Sequence, residues 1–108
     1  MNFIDVYEND YGNVIVLPMD SMLRVVLEEK QLTGYRWQVK DKSSSLEMVS
    51  HKFYAKNDQV KRAAGVAIFY FKPINPGRCT LVLKLRRSWE GDKTIVRRFR
   101  IAVVIISD

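Results

Sequence analysis

The chain has one cysteine and one histidine among its 108 residues. Because Cys79 is the sole thiol, no disulfide can form within the chain. Small secreted β-domains usually depend on disulfides, so this absence favours a reducing compartment. Cys79 opens an apolar run over residues 79–83, which predicts a buried structural thiol, since free cysteine behaves as a small hydrophobic residue. His51 alone excludes zinc sites built from several histidines.

The residues that usually carry catalysis are scarce or badly spaced. A nucleophile and base pair would need Cys79 beside His51, and their spacing does not indicate this. A surface histidine on a strand is the simpler interpretation. Glu28 and Glu29 would point to opposite faces of a strand, so they cannot act as a carboxylate pair on one bond. No glycine-rich phosphate loop is present. We therefore predict a protein that is not an enzyme and has no metal or cofactor.

Targeting and membrane-spanning segments are also absent from the sequence. Residues 1–10 contain neither a basic n-region nor an apolar h-region. No apolar stretch approaches the roughly 20 residues that a membrane span requires. These features predict a cytoplasmic location, although a trimmed secreted or periplasmic form would have the same sequence.

The hydrophobic pattern has a period of two residues, which is typical of strands with one buried face. Its alternating apolar positions are Leu23, Val25 and Leu27, then Tyr35, Trp37 and Val39, then Leu81, Leu83 and Leu85, and finally Phe99, Ile101, Val103 and Ile105. With turn residues between segments, strands are predicted over about 3–7, 14–17, 22–28, 35–40, 46–54, 67–72, 79–86 and 94–106. This spacing indicates a sandwich or barrel in a single domain, residues 1–108. A helix over 44–53 is a weaker local alternative.

The formal net charge is +6, which is compatible with nucleic acid, an anionic membrane or an acidic protein as partner. Basic residues are concentrated in two predicted strands: Lys84, Arg86 and Arg87, and then Arg97, Arg98 and Arg100. Paired in a sheet, these strands would form either a cationic stripe for phosphates or a solvated face that discourages edge pairing. Aromatic residues do not interleave with them, which argues against a stacking platform for single strands.

Three segments between the predicted strands contain unusual residues. Loop 1 reads Lys30-Gln31-Leu32-Thr33-Gly34-Tyr35-Arg36-Trp37, loop 2 reads Lys61-Arg62-Ala63-Ala64-Gly65, and loop 3 reads Arg87-Ser88-Trp89-Glu90. Each has a structural explanation: a glycine turn, a loop of small residues and a tryptophan that caps a core. That explanation is weakest for loop 3, because a tryptophan beside an arginine in a turn tends to be exposed.

In order and spacing, these loops resemble the chagasin family of cysteine peptidase inhibitors. That family carries Asn-Pro-Thr-Thr-Gly-aromatic-x-Trp, Gly-x-Gly-Gly and Arg-Pro-Trp in its three loops. The residues that agree are Thr33, Gly34, Tyr35, Trp37, Gly65, Arg87 and Trp89. The departures are Lys30, Gln31 and Leu32 in place of Asn-Pro-Thr, Arg62 and Ala64 in place of two glycines, and Ser88 in place of proline. The resemblance extends from about Asn13 to Val104.

The resemblance implies an all-β, immunoglobulin-like antiparallel β-sandwich of about seven to eight strands. It also implies reversible inhibition of papain-type cysteine proteases by occlusion, with the three loops together at one end of the sandwich. The implied protease-binding residues are Lys30, Gln31, Leu32, Thr33, Gly34, Arg62, Ala63, Ala64, Gly65, Arg87, Ser88 and Trp89. Tyr35 and Trp37 alternate inward with Val39, so we assign both to the core instead.

The expected partner is a papain-like cysteine protease, bound by a monomer, without nucleic acid or membrane. Lys30, Lys61, Arg62 and Arg87 would form a positive rim around the loops, which favours proteases with acidic clefts. Two other functions also fit the residues. A sandwich of the same lineage could bind a different protein, because one fold hosts many functions. The basic strands could instead belong to a nucleic-acid-binding domain, whose binding would depend on salt.

Overall fold

The computed structural model describes residues 2–30, 33–55, 64–87 and 93–107. Within them lie eight strands: β1 (Asn2–Tyr7), β2 (Val14–Pro18), β3 (Ser21–Lys30), β4 (Tyr35–Lys42), β5 (Leu46–Ala55), β6 (Ala64–Pro73), β7 (Gly77–Arg87) and β8 (Arg97–Ile106). A 3-10 segment, Glu8–Asp10, connects β1 to β2. The predicted all-β class is confirmed. Residues 44–53, for which a helix was the alternative, lie largely in β5. No helix in the described part of the chain is long and apolar enough to cross a membrane.

The strands form two four-stranded sheets. Sheet A has the order β1-β3-β6-β5, and sheet B has the order β2-β8-β7-β4. The chain changes sheet at every connection from β1 to β5 and once more between β6 and β7. The two sheets therefore bury a shared interior, as in an immunoglobulin-like sandwich.

Four of the strand pairings are antiparallel, but β1 lies parallel to β3 and β2 lies parallel to β8. The predicted immunoglobulin-like sandwich is confirmed, with antiparallel pairing everywhere in the described sheets except at the edge strands β1 and β2. Parallel neighbours need a crossover between them. For β1 and β3 that crossover is β2, which passes through the opposite sheet, whereas β2 and β8 come from distant parts of the chain. A pattern of period two contains no information on strand direction.

The two remaining edge strands, β4 and β5, each contain an irregularity. The pairing of β4 with β7 shifts between Val39 and Asp41, and that of β5 with β6 shifts between Met48 and Ser50. Each shift leaves one extra residue on the edge strand, which is the property that defines a β-bulge.

The core follows the predicted alternation. Leu23, Val25 and Leu27 of β3 are buried, as are Leu81, Leu83 and Leu85, together with Phe99, Ile101, Val103 and Ile105. Trp37 is also buried, with 1% of its surface exposed. Tyr35 and Val39 are half-buried and pack against the core from its margin. The assignment of Trp37 to the core is confirmed.

The structure differs from the sequence-based predictions in the burial of Cys79 and in the first residue of β8. Cys79 is half-buried against the core instead of enclosed in it. Its burial still raises the pKa of the thiol, which disfavours the reactive thiolate. Strand β8 begins at Arg97, three residues later than predicted. The hydroxyl of Thr94 donates to the carbonyl of Arg87 and accepts from its N–H, so Thr94 is bonded to the end of β7 instead of lying in β8.

Candidate functional site

In sheet A, the strand ends that flank loops 1 and 2 lie side by side. Lys30, the last residue of β3, pairs with Ala64, the first residue of β6. Ala55, the last residue of β5, pairs with Gly65. Loop 1 therefore begins at the end of sheet A at which β5 ends and β6 begins. The connection that contains loop 2 joins β5 to β6 at this same end.

In sheet B, the strand ends that flank loops 1 and 3 also lie side by side. Tyr35, the first residue of β4, pairs with Arg87, the last residue of β7. Arg97, the first residue of β8, lies opposite Leu85. Because loop 1 joins the two sheets, these ends lie on the same side of the sandwich as those of sheet A. We call this side the loop end.

The described part of loop 1 is stabilised by its threonine and glycine. The hydroxyl of Thr33 donates to the carbonyl of Lys30 at 2.6 Å and accepts from the N–H of Tyr35 at 3.3 Å. Gly34 has a φ of +82°, in the left-handed region that glycine adopts without steric cost. The Thr-Gly pair of the motif thus has a local structural role, since it closes the turn between β3 and β4.

Arg87 connects loop 1 to the beginning of loop 3. Its Nε donates to the carbonyl of Thr33 at 3.4 Å, and its guanidinium lies 4.7 Å from the centre of the Tyr35 ring. A cation over an aromatic ring at this distance is attractive. The backbone of Arg87 is held in turn by the hydroxyl of Thr94. One side chain therefore sets the position of loop 1 relative to the end of β7.

A buried carboxylate lies directly below loop 1. Glu29 is 2% exposed, and its Oε1 accepts from the backbone N–H of Trp37 at 2.7 Å. The indole Nε1 of Trp37 donates to the carbonyl of Glu28 at 2.8 Å. Together these bonds tie the end of β3 to the start of β4. The burial of Glu29 was not predicted, although its parity with Leu27 on β3 is the signal that could have revealed it.

Glu8 makes a second connection, from the segment between β1 and β2. Its Oε1 accepts from the backbone N–H of Glu28 at 2.8 Å, and its Oε2 forms an ion pair with Arg97. Glu8 therefore links the strand that leads into loop 1 with the strand that follows loop 3. Both contacts join residues distant in sequence, and no local motif predicts them.

Gly65 lies within β6, where the backbone of β5 approaches closely. A Cβ atom at this position would overlap the carbonyl oxygen of Tyr54 and come within 2.9 Å of the Cα of Ala55. Gly65 was predicted to contact a protease. The close approach of β5 is by itself a structural reason for glycine at this position, because no side chain fits between the strands.

We expect Gly65→Ala to lower the free energy of unfolding by about 1–3 kcal/mol, the usual range for overpacking. Besides Cζ of the Phe53 ring, the obstructing atoms belong to the backbone of β5, so a side-chain rotation alone cannot relieve the overlap. Chemical denaturation of the purified variant measures the loss. An unchanged midpoint would mean that β5 and β6 separate there without cost.

The other predicted site residues divide into two groups. Lys30 and Thr33 are exposed, Gly34 and Arg87 are half-buried, and the backbone of Ala64 starts β6. Gln31, Leu32, Arg62, Ala63, Ser88 and Trp89 lie outside the described residues, so their predicted roles remain predictions. The described residues of loops 1 and 3 are in contact through Arg87, and the described flanks of loop 2 lie at the same end.

Groupings typical of catalysis or metal binding are not found in the described ranges. They contain no set of three His, Cys, Asp or Glu residues arranged to hold a metal ion. His51 lies on β5 of sheet A and stacks on the Phe69 ring at 4.0 Å, whereas Cys79 lies on β7 of sheet B. A depression of about 190 Å³ beside loop 1, lined in part by Glu28, Thr33 and Arg97, is smaller than the roughly 300 Å³ at which small-molecule pockets begin.

Solved structures with the same fold are found over the whole chain. A cysteine protease inhibitor from Entamoeba histolytica, EhICP2, superimposes with a TM-score of 0.87 at 19% identity, covering 98% of this chain and 97% of that one. Amebosin gives 0.80 at 18% identity, with coverage of 98% and 99%. PbICP-C, solved in complex with falcipain-2, gives 0.63 at 14% identity and full coverage of both chains. At these identities the likeness establishes the fold alone.

No curated protein matches the chain. The family comparison is more specific, because the model described as "Chagasin family peptidase inhibitor I42" matches residues 16–103. That range includes β3 to β7 in full, residues 16–18 of β2 and residues 97–103 of β8, and it contains all three loops. Since the match covers most of the sandwich and every loop at its loop end, the chain belongs to the chagasin family of peptidase inhibitors.

Proposed function

We propose that the chain is a reversible inhibitor of papain-type cysteine proteases and that it occludes their active-site cleft with loops 1, 2 and 3. The observation that supports this most directly is the arrangement of the strand ends. Both sheets direct their loops to one end, and Arg87 connects loop 1 to loop 3 there through Thr33 and Tyr35. The family is one of inhibitors, so the protein is not an enzyme.

The inhibitory mechanism needs no chemical step in the inhibitor. Loop 2 covers the catalytic cysteine of the protease, and loops 1 and 3 contact the two walls of the cleft. Rigid strands that present short loops reduce the ordering cost of association. A standard interface of roughly 800 Å² per partner is within the reach of three adjacent loops.

This chain lacks the prolines of the family's loop 1 and loop 3 motifs. Proline restricts the unfolded and unbound conformations of a loop, and here Gln31 and Ser88 stand at the two proline positions. The hydroxyl of Thr33 and the guanidinium of Arg87 bond across the same region. We infer that these bonds offset part of the ordering cost that the missing prolines would have reduced.

Partner and location complete the proposal. The partner is a papain-like cysteine protease, and the inhibitor acts as a monomer, without nucleic acid or membrane. A cytoplasmic location agrees with a chain whose single thiol cannot form an internal disulfide.

A titration of several papain-type proteases with the purified protein tests the proposal. We expect inhibition that is competitive with substrate and reversible on dilution, with the inhibitor recovered at full mass. Steady cleavage of the protein would make it a substrate, and lack of inhibition across the panel would contradict the proposed function. Phe3→Ala is the control variant and should inhibit like the parent, because Phe3 lies in β1 at the end of sheet A away from the loop end.

A further inference from the structure

Glu8 lies where the pairing of β1 with β3 ends. The last paired residues are Tyr7 and Val26, and the chain then leaves the sheet in the segment Glu8–Asp10. Two residues after Val26, the backbone N–H of Glu28 donates to Oε1 of Glu8 at 2.8 Å. The carboxylate of Glu8 therefore extends the support that β1 gives to β3 toward the loop end.

The second oxygen of the same carboxylate reaches the opposite sheet. Oε2 of Glu8 forms an ion pair with Arg97, the first residue of β8. The guanidinium of Arg97 lies 5.9 Å from the centre of the Trp37 ring, a distance at which a cation and an aromatic ring attract. The indole of Trp37 in turn donates to the carbonyl of Glu28. Glu8, Glu28, Trp37 and Arg97 thus form a closed set of contacts, which we call the Glu8 bridge.

Strand pairing does not set the distance that the Glu8 bridge spans, because β3 belongs to sheet A and β8 to sheet B. The depression of about 190 Å³ beside loop 1 is lined by Glu28 and Lys30 of β3 and also by Val96 and Arg97. Residues that line an open space lack part of the close contact that holds a packed core rigid. The ion pair of Glu8 with Arg97 therefore joins two strand ends whose separation packing fixes incompletely.

The ion pair of Asp5 with Arg24 is similar in kind but different in position. Its atoms are 2.6 Å apart, and both ion pairs are partly exposed. Asp5 and Arg24 stand opposite each other in neighbouring strands that backbone hydrogen bonds already join. Arg24 also lies roughly 20 Å along β3 from Lys30 at the loop end. This pair acts within one sheet and away from the loops, whereas Glu8 connects the two sheets beneath them.

We propose that Glu8 is a positioning residue for inhibition. It holds the strand that leads into loop 1 and the strand that follows loop 3 at the separation that fits the two walls of the protease cleft. This role rests on the proposed inhibitory function and adds a determinant that lies outside the three loops. Without the Glu8 bridge, the loops have to be ordered relative to each other on binding, which costs affinity. Changes at one interface act mostly on the dissociation rate.

The test compares two variants that remove one negative charge each. Glu8→Ala removes both contacts of the Glu8 carboxylate, and Asp5→Ala removes the ion pair with Arg24 as the matched control. Exposed ion pairs contribute little to stability, so thermal melts should show that both variants are folded and similar to the parent. Glu8→Gln is the milder variant, because its amide oxygen can still accept from the N–H of Glu28 while the charge opposite Arg97 is lost.

Inhibition constants and dissociation rates are measured with a papain-type protease that the parent inhibits. We expect Glu8→Ala to raise the inhibition constant about tenfold, mainly through faster dissociation, and Glu8→Gln to raise it about threefold. Asp5→Ala should stay within about twofold of the parent. A loss of stability alone would not produce this difference, because the measurement is made well below the melting temperatures.

A double-mutant cycle on the inhibition constant tests whether Glu8 acts through Arg97. If it does, Glu8→Gln combined with Arg97→Gln should inhibit about as well as the weaker of the two single variants, because the second substitution finds the ion pair already broken. Additive losses would mean that the two side chains affect the protease independently, and the positioning role would be wrong.

The remaining outcomes separate this role from the proposed function. If the parent inhibits and Glu8→Ala inhibits equally well, Glu8 does not position the loops and the proposed function stands. If Asp5→Ala weakens inhibition as much as Glu8→Ala, the loss comes from β1 in general and the specific role of Glu8 is refuted. If the parent inhibits no papain-type protease, the proposed function fails and the role of Glu8 fails with it.

Discussion

Replacing Trp37 by alanine should lower the free energy of unfolding by about 3–5 kcal/mol, the range measured for truncation of large buried aromatic residues. The ring is almost completely buried between the sheets. Its Nε1–H donates to the carbonyl of Glu28, and its backbone N–H donates to the buried carboxylate of Glu29. The substitution opens a cavity and also removes the partner of the Glu28 carbonyl. Denaturant unfolding followed by circular dichroism measures the loss.

Trp37→Phe separates these two contributions. Phenylalanine retains most of the apolar volume but cannot donate to the carbonyl of Glu28. We expect it to cost about 1–3 kcal/mol, the penalty for a buried group that loses its hydrogen bond, and thus less than the alanine variant. If Trp37→Ala costs less than about 1 kcal/mol, the indole does not fill the core in solution.

Replacing Trp89 by alanine should weaken inhibition of a papain-type protease by about tenfold or more, since interface tryptophans commonly contribute over 2 kcal/mol to binding. Trp89 lies outside the described residues, and the expectation comes from its place in the Arg-x-Trp motif of loop 3. Arg87, the first residue of that motif, lies at the loop end. The inhibition constant from a progress-curve titration is the quantity to compare.

The melting temperature of Trp89→Ala should stay within a few degrees of the parent, because this residue is expected to be exposed in the free protein. Phe3→Ala is the matched control, as it also removes an exposed aromatic side chain but at the far end of β1. It should leave the inhibition constant unchanged. Unfolding of Trp89→Ala would instead assign this tryptophan to the core.

The core was the most predictable part of the molecule. Alternation alone identified Trp37, Phe99 and the leucines of β3 and β7, because a strand with one buried face must repeat every two residues. It was less accurate for Tyr35, which points inward but lies at a strand end where Arg87 covers its ring. Side chains at the margin of a sandwich are shared between the core and the loops, and periodicity does not distinguish the two.

The residues that hold the strand ends below the loops were less predictable than the residues of the loop motifs. Thr33, Gly34 and Arg87 were found because their spacing matches a family pattern. The burial of Glu29 was not predicted, because two adjacent glutamates suggest solvent-exposed side chains. Its backbone partner on β4 becomes evident only from the structure. Glu8 was missed because its contacts reach 20 and 89 residues along the chain. Such contacts depend on topology, including two parallel pairings that no local pattern encodes.

The bulges in β4 and β5 affect how copies of the protein meet at high concentration. Strand β4 is one edge of sheet B and β5 is one edge of sheet A, the other edges being β2 and β1. An unbroken edge offers a row of N–H and C=O groups on which a second molecule can extend the sheet. The extra residues between Val39 and Asp41 and between Met48 and Ser50 interrupt that row on β4 and on β5. A bulge also increases the local twist, so two such edges do not align over their full length. The irregularity that shifts the pairing of β4 and of β5 therefore also hinders the addition of a neighbouring molecule at these two edges.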